Sequence, residues 1–414
     1  MNQDIAILRD LANQYMQIAY GPDQENVWEL HASVNDLCPQ RPIVLISELP
    51  WHELNIDGFL TLRCQDPELA QTEDYLGKTI FQHKYFPGDM MVKPYCPVDK
   101  VIHTTGIGVE VKEETVSTDK NNGVVSHRYE NQFHSMEDVE KLHNQVITYD
   151  REESLRRYGK VAEAIGDILP VKLIGSATGY GLGHIAWDII STYMSVNDLL
   201  YALMDEPEMM HALVGKLTDI FLDTIRQYEE LNLLDPDNPY CHSSSAASRD
   251  LLKTPIDYRH VKAKNVWGRG LAQILATVSP DMHEEFEIQY AMRAMESFGL
   301  VYYGCCEPLD NKIDIVKKIP NLRKISITPW ADINRSAEAI GKDYVISAKP
   351  NPANLPYAAS NPELIRRELR ALIDACRKNN TPCEILLKDI STSNYNLENL
   401  IVWNRIAKEE AGAV

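Results

Sequence analysis

The sequence predicts an α/β protein built as a (β/α)8 barrel, with N-terminal helices in front and an inserted β-hairpin excursion. Three observations predict it. From about residue 136 onward, helical stretches alternate with short apolar runs, the signature of repeated βα units. The first such run, Arg41-Pro-Ile-Val-Leu-Ile-Ser-Glu48, is apolar throughout and ends in polar groups, as a strand buried on both faces does. Chemically capable residues then recur where later runs give out, the face on which barrel enzymes carry their sites. A barrel follows more naturally from this than an open sheet.

Taken in order, residues 1–40 read as a helical segment, with Ile5, Leu8, Leu11, Ala12 and Met16 on one face. Residues 41–414 read as one barrel domain. Between about 60 and 135 the texture changes to a β-rich excursion, centred on the turn Asp119-Lys-Asn-Asn-Gly123 before Val124-Val-Ser-His-Arg-Tyr129; an Asn-Gly turn between β-rich runs signals a hairpin. Helices are expected near 137–145, 151–166, 195–230, 280–298, 310–318, 334–341, 360–379 and 396–411. Strands are expected at Val171-Lys-Leu-Ile-Gly175, Leu300-Val-Tyr-Tyr303, Lys324-Ile-Ser-Ile327, Tyr344-Val-Ile-Ser347 and Glu384-Ile-Leu-Leu-Lys388.

Composition excludes several classes. Lys+Arg of 41 against Asp+Glu of 60 gives a net charge of −19, which repels a nucleic-acid backbone, and no basic patch overrides it. No run approaches the roughly 18 apolar residues of a membrane span. The N-terminal run lacks the basic start and apolar block of a signal peptide, so a cytoplasmic protein is expected. Eight cysteines in 414 residues do not make a disulfide scaffold.

Only one cysteine pair stands in a chemical context. Tyr303-Gly304-Cys305-Cys306-Glu307 places two thiols and a carboxylate at the end of an apolar run. Such a group can hold zinc, serve as a nucleophilic or redox thiol, or be structural. Trp330 and Asp332 end the next strand, and Lys349 and Asn351 the one after. His242 follows a polar turn and can be a ligand, a substrate contact or a plain loop residue. His283 sits just inside a helix whose N-cap is Ser279, where polar residues are expected on helix grounds alone. Trp267 and Gln273 belong to a glycine-spaced segment, Val266-Trp-Gly-Arg-Gly-Leu-Ala-Gln273, that can contact substrate or plug the barrel rim.

The order of these pieces resembles the uroporphyrinogen decarboxylase superfamily. Leu173-Ile-Gly-Ser-Ala-Thr-Gly179 followed by Leu200-Tyr-Ala-Leu-Met-Asp-Glu-Pro-Glu-Met-Met210 is similar to its strand, small-residue loop and Asp-x-Pro-Glu helix start. Ser279-Pro-Asp-Met-His-Glu-Glu-Phe286, Ala348-Lys-Pro-Asn-Pro-Ala-Asn-Leu355 and Asn396-Leu-Glu-Asn399 resemble later family segments, so the likeness runs from about 150 to the end. The decarboxylases carry an arginine-rich loop after the first strand; here that place reads Ser47-Glu48-Leu49-Pro50-Trp51-His52, which cannot grip carboxylates. The resemblance therefore implies the branch of zinc-dependent, corrinoid-linked methyltransferases, whose His-x-Cys and later Cys positions correspond here to Tyr303-Gly304-Cys305-Cys306 and to Asp389.

On that reading Cys305, Cys306, Glu307 and Asp389 are candidate zinc ligands. Glu307, Asp332 and His283 are candidate catalytic groups, while Trp267, Gln273, His242, Lys349 and Asn351 contact substrate. The expected activity moves a methyl group between a small methyl ether, amine or thiol and the cobalamin of a separate corrinoid protein, in a homodimer. The alternative is a metal-independent decarboxylase or lyase of the same superfamily acting on a small carboxylic acid.

Overall fold

Runs of consecutive apolar residues become strands in this chain because helices or a plugged interior cover both of their faces. In the computed structural model, residues 3–117, 125–176 and 182–412 are described. Among them the parallel strands are β1 (Ile43–Ile46), β2 (Cys96–Asp99), β3 (Val171–Ile174), β4 (Trp267–Gly270), β5 (Leu300–Tyr303), β6 (Leu322–Ile327), β7 (Val345–Ala348) and β8 (Cys383–Leu387). Six of them form one sheet in the spatial order β1-β8-β7-β6-β5-β4, and β2 pairs with β3 in a second sheet.

The first strand lying against the last is the order a (β/α)8 barrel produces. Ile43 stands opposite Glu384 and Ile46 opposite Leu387. The ladders β1–β2 and β3–β4 that would complete the ring are not formed among the described residues. A single bridge between His184 and Gly270 extends the β4 edge, and another joins Ser176 to Leu234. The fold is thus a mixed α/β architecture with the strand order of a barrel and an incomplete ladder.

Alternation along the strands sorts the two faces. On β5, Val301 and Tyr303 face outward into a cluster with Ala294, Met295, Ile325 and Ile346, while Leu300 and Tyr302 face inward with Trp267 and Cys241. On β1, Val44 and Ile46 pack against Phe81, Phe86 and Trp403. The helix Asp23–Asn35 contributes Leu30 and Val34 to a cluster with Ile43, Leu45, Val345 and Leu386.

The interior is polar, and a hairpin fills it. Tyr240–Cys241 pairs antiparallel with Ser244–Ser245, leaving His242 and Ser243 as a two-residue turn at φ 47° and 66°. Two positive φ angles in succession match a type I′ turn, a position that favours Asn-Gly. The stem reaches a buried ion pair: Lys324 Nζ lies 2.9 Å from Glu384 Oε2, both fully buried. Lys324 also donates to Ser244 Oγ at 2.8 Å and to the Ser245 carbonyl at 2.7 Å, while Glu384 accepts from the Ser244 hydroxyl and, at 2.6 Å, from the Ser245 hydroxyl.

The helical expectations hold with trimmed ends: Arg151–Ile165, Pro362–Lys378 and Leu397–Glu410 form, and the stretch 195–230 divides at Glu206 before Pro207 into two helices. The helix expected over 310–318 shortens to Ile313–Val316, and that over 137–145 to Met136–Glu140. One expectation is corrected. The stretch 60–135 is not β-rich from its start, because Pro67–Tyr85 is a helix. Asp66 caps it by accepting from the N–H groups of Glu68 and Leu69, Pro67 occupies the first turn, and Leu69, Leu76 and Ile80 face the core. Further on, Glu113–Val116 pairs antiparallel with Ser126–Tyr129, as a hairpin requires. The Asp119–Gly123 turn itself lies outside the described residues. No helix among the described residues is long and apolar enough to cross a membrane.

Candidate active site

The strand ends of β1, β5 and β8 turn over in the left-handed region, at Glu48 (φ 51°), Gly304 (φ 92°) and Asp389 (φ 56°). Only glycine adopts such angles without strain, so the two acidic residues hold theirs at a cost of order 1–3 kcal/mol each. Each turn aims the next groups into the space where the hairpin tip arrives. There, Cys305 Sγ lies 3.5 Å from His242 Nε2 and 3.6 Å from Cys306 Sγ, and Cys306 Sγ lies 3.5 Å from Asp389 Oδ2. Lys388 Nζ sits 3.2 Å from both His242 Nε2 and Glu48 Oε1, and 3.7 Å from Cys305 Sγ. The Glu48 carboxylate accepts from Ser243 Oγ at 3.0 Å and from the Asp389 N–H at 3.2 Å.

These contacts make Cys305 the thiolate of the pair. The Cys306 S–H beside it holds its pKa well below the usual thiol range, and His242, Arg269 and Lys349 add to the effect against the opposing influence of burial. Cys306, partly buried and with its S–H between that sulfur and Asp389 Oδ2, is raised by its contact with Cys305 and by burial. Burial pulls the Lys388 ammonium down, yet the charges of Cys305, Glu48 and Asp389 outweigh it and the pKa rises. His242 is lowered by burial against its contact with Cys305, which keeps the imidazole neutral. Burial raises the Asp389 carboxyl and the neighbouring Glu48 raises it further, whereas at Glu48 the opposing influence of burial is outweighed by Asp389, Lys388 and Ser243, which bring it down.

The donor types suit zinc. With bonds of about 2.0–2.3 Å at the tetrahedral angle, neighbouring zinc ligands stand about 3.3–3.8 Å apart. The three successive separations from His242 through Cys305 and Cys306 to Asp389 fall in that range. The four groups form a chain of contacts, however, and no group of three or more His, Cys, Asp or Glu side chains among the described residues has the arrangement of a metal centre. Drawing the chain around an ion calls for movement at its Asp389 end, the exposed member.

Glu307 stands apart from this set. It is 1% exposed, and its two oxygens accept the Ala272 N–H at 3.2 Å and the Cys305 N–H at 2.9 Å. Burial pushes its carboxyl up to about 7 in spite of those bonds, so it exchanges a proton near neutrality. It braces the Cys305 backbone from outside the chain of donors.

The other residues singled out in the sequence have partners of their own. Lys349, 4% exposed, donates to Tyr302 Oη at 3.1 Å and to Ser326 Oγ, which in turn donates to the Cys305 carbonyl at 2.6 Å. It steadies the thiol turn from beneath. Gln273 donates through its backbone N–H and Nε2 to the Asp188 carboxyl, at 3.1 and 2.6 Å. Trp267 is 4% exposed, with Nε1 donating to the Ala246 carbonyl at 2.8 Å and Lys324 5.5 Å from its ring.

His283, read as catalytic, is fully buried between Tyr303 Oη at 2.9 Å and Lys312 Nζ at 3.3 Å; burial lowers it to about 3. It belongs to a polar seam behind β5. Asp332 is exposed and accepts the Asn334 and Arg335 N–H groups, and Asn351 accepts the Ala353 N–H; both cap helices.

Glu48 and Lys388 are the members that sequence reasoning did not select; Arg269 enters the sequence reading only as a cationic clamp of the alternative decarboxylase or lyase. Arg269 is 1% exposed and stacks 4.9 Å from the Tyr302 ring; its Nη2 donates to the Gly304 carbonyl at 3.4 Å, while Nε and Nη1 have no partner. A buried guanidinium in that state needs nearby negative charge, which the Cys305 thiolate supplies.

The turn that presents Cys305 disfavours a side chain at Gly304. A Cβ on Gly304 would stand 2.6 Å from Leu309 Cδ1 in addition to the strain at φ 92°. Gly304→Ala is expected to cost about 1–3 kcal/mol in urea unfolding and to bring Cys305 alkylation toward that of an ordinary thiol. A variant as stable as the parent, with unchanged alkylation, would show that the turn does not set the thiol.

Comparison with protein-family models and with curated proteins gives no match. Among solved structures the chain is similar to a methyltransferase from Methanosarcina mazei, with a TM-score of 0.50 and 11% identity, over 92% of this chain and 98% of that one. At that identity the likeness is one of fold.

Proposed function

We propose that the protein is a methyltransferase that moves a methyl group between a small substrate, a methyl ether, amine or thiol, and a corrinoid carried by a partner protein. Zinc is its proposed metal, held by Cys305 and His242 with Cys306 and Asp389 completing the donor set. The observation that carries the reading is the 3.5 Å approach of Cys305 Sγ to His242 Nε2, made by a hairpin tip in a strained turn. A fold shared with a protein described as a methyltransferase agrees with it.

When bound, zinc supplies a Lewis acid that lowers the charge developing on a substrate oxygen, nitrogen or sulfur. The chain's own residues do the rest. Cys305 enters as a thiolate and needs no base. Lys388 offsets the negative charge of Cys305 and Glu48 and, by donating to His242 Nε2, fixes the position of the imidazole beside the thiols. Glu307, with its carboxyl near 7, holds or releases the proton that the substrate heteroatom gains or loses. The strand-end face of the barrel is the docking face for the corrinoid protein, and a homodimer is the proposed assembly.

One observation favours a second reading. The two unpartnered donors of buried Arg269 fit the clamp of a metal-independent decarboxylase or lyase acting on a carboxylic acid.

Metal analysis separates the two. The parent and Glu307→Gln are expected to carry about one zinc per chain, and Cys305→Ser and His242→Ala almost none. Cys306→Ser and Asp389→Asn should weaken zinc without abolishing it. No zinc in the parent after zinc supplementation would discard the methyltransferase reading in favour of the lyase.

A further inference from the structure

One cavity lies away from the thiols. About 470 Å³ in volume, it is walled by residues that precede β2, by the start of β4, by the helix Asp23–Asn35 and by the segment after Leu234. Met91–Tyr95 and Val266–Trp267 stand at the N-terminal ends of their strands, whereas Cys305 follows the C-terminal end of β5. Trp28, Tyr95 and Trp267 give the cavity flat apolar walls, and Leu251 closes one side.

Two polar atoms in its wall lack partners. Asp235 is 5% exposed; Oδ1 accepts the Asp237 N–H at 3.2 Å, and Oδ2 has no hydrogen bond. The Tyr95 hydroxyl, also buried, has none either. Of the neighbouring charges, Asp237 pairs with Lys172 and accepts from Tyr258 Oη at 3.0 Å, while Lys93, 5.9 Å from the Tyr95 ring, attracts the Asp235 carboxyl by charge without a hydrogen bond to it. Asp235 also stands where this cavity meets a second one of about 400 Å³. An unsatisfied buried carboxylate oxygen costs about 1–3 kcal/mol or more, which a ligand donor would recover.

We propose that this cavity is a second small-molecule site, for a flat nitrogen-containing ring whose N–H edge donates to Asp235 and whose faces lie against Trp28 and Trp267. The volume suits a ligand of one or two rings. Nothing in the site needs the thiols, so it stands or falls apart from the methyltransferase reading.

The probe is benzamidine, a flat ring with an amidinium edge, titrated against the whole protein by ligand-detected NMR and tryptophan fluorescence. At the ligand efficiency of small molecules, binding of about 1 mM is expected. Asp235→Asn should weaken it about tenfold or more, Trp28→Ala should weaken it and remove part of the fluorescence change, and Cys305→Ser should bind as the parent does. Asp235→Asn should melt no lower than the parent, since it removes a poorly satisfied buried charge, and Trp28→Ala gives an independent reading on the opposite wall. Absence of saturable binding, or binding unaltered in both cavity variants, would overturn the proposal.

Discussion

Under the proposed function, Cys305→Ser is expected to abolish zinc binding and to slow methyl transfer by about a thousandfold or more, some 4 kcal/mol of barrier. A serine hydroxyl stays protonated in a place built for an anion. Arg269, Lys349 and Lys388 would then face a neutral group, and Arg269 in particular would keep two unpartnered donors with no thiolate beside it. In the parent the thiolate can be read without turnover: iodoacetamide should label Cys305 well below pH 7, while Cys306 stays unreactive across the same range. The labelling should lose its low-pH advantage in Cys306→Ser, because the Cys306 S–H is the largest influence holding the thiolate. A Cys305 that titrates near the ordinary thiol value of about 8.5 would remove the thiolate from the site.

Lys324→Met is expected to lower the free energy of unfolding by about 3–5 kcal/mol, because it leaves the Glu384 carboxylate fully buried without its counter-ion. Burial pushes the Glu384 carboxyl up, but Lys324 and the hydroxyls of Ser244 and Ser245 outweigh it and bring it down to about 2. A carboxyl depressed in this way contributes stability above its unfolded pKa of about 4.5 and loses it as the pH falls toward 2. Urea unfolding of the parent should therefore weaken across that acid window, and the variant should show little of the dependence. Replacing both partners with apolar residues should recover much of the loss. A Lys324→Met protein as stable as the parent would mean that the pair is solvated.

The short, largely apolar runs made β1 and β5 through β8 legible, since buried runs of four to six residues ended by polar groups have few other readings. β4 was hidden because Trp267-Gly-Arg-Gly270 alternates glycine with large side chains: Gly268 lies under Phe298 and Gly270 under Tyr303, where a Cβ would meet the ring at 2.7 and 3.1 Å. The helix Pro67–Tyr85 was legible in principle, from the Asp-Pro start and the spacing of Leu69, Leu76 and Ile80, but the β texture downstream obscured it.

The site divides in the same way. Cys305, Cys306 and Asp389 could be read because they sit beside strands. Lys388 and Glu48 could not, because their meeting across 340 positions depends on β8 lying against β1. Asp332 and Asn351 carried a competing signal, an Asp or Asn just before a helix, and the backbone claimed them. His242 could be suspected only from its polar turn; the left-handed angles that lift it to the thiols leave no mark on the residue type.

The hairpin Tyr240–Ser245 is clamped at its foot by Lys324 and Glu384 and bears His242 at its head. It is therefore a strut whose length fixes how high the imidazole stands. Substitutions at the anchor, in contact with neither thiol, will be felt at the thiols as a change in reach. Stability and chemistry in this protein share one short ribbon, so selection on either is selection on both.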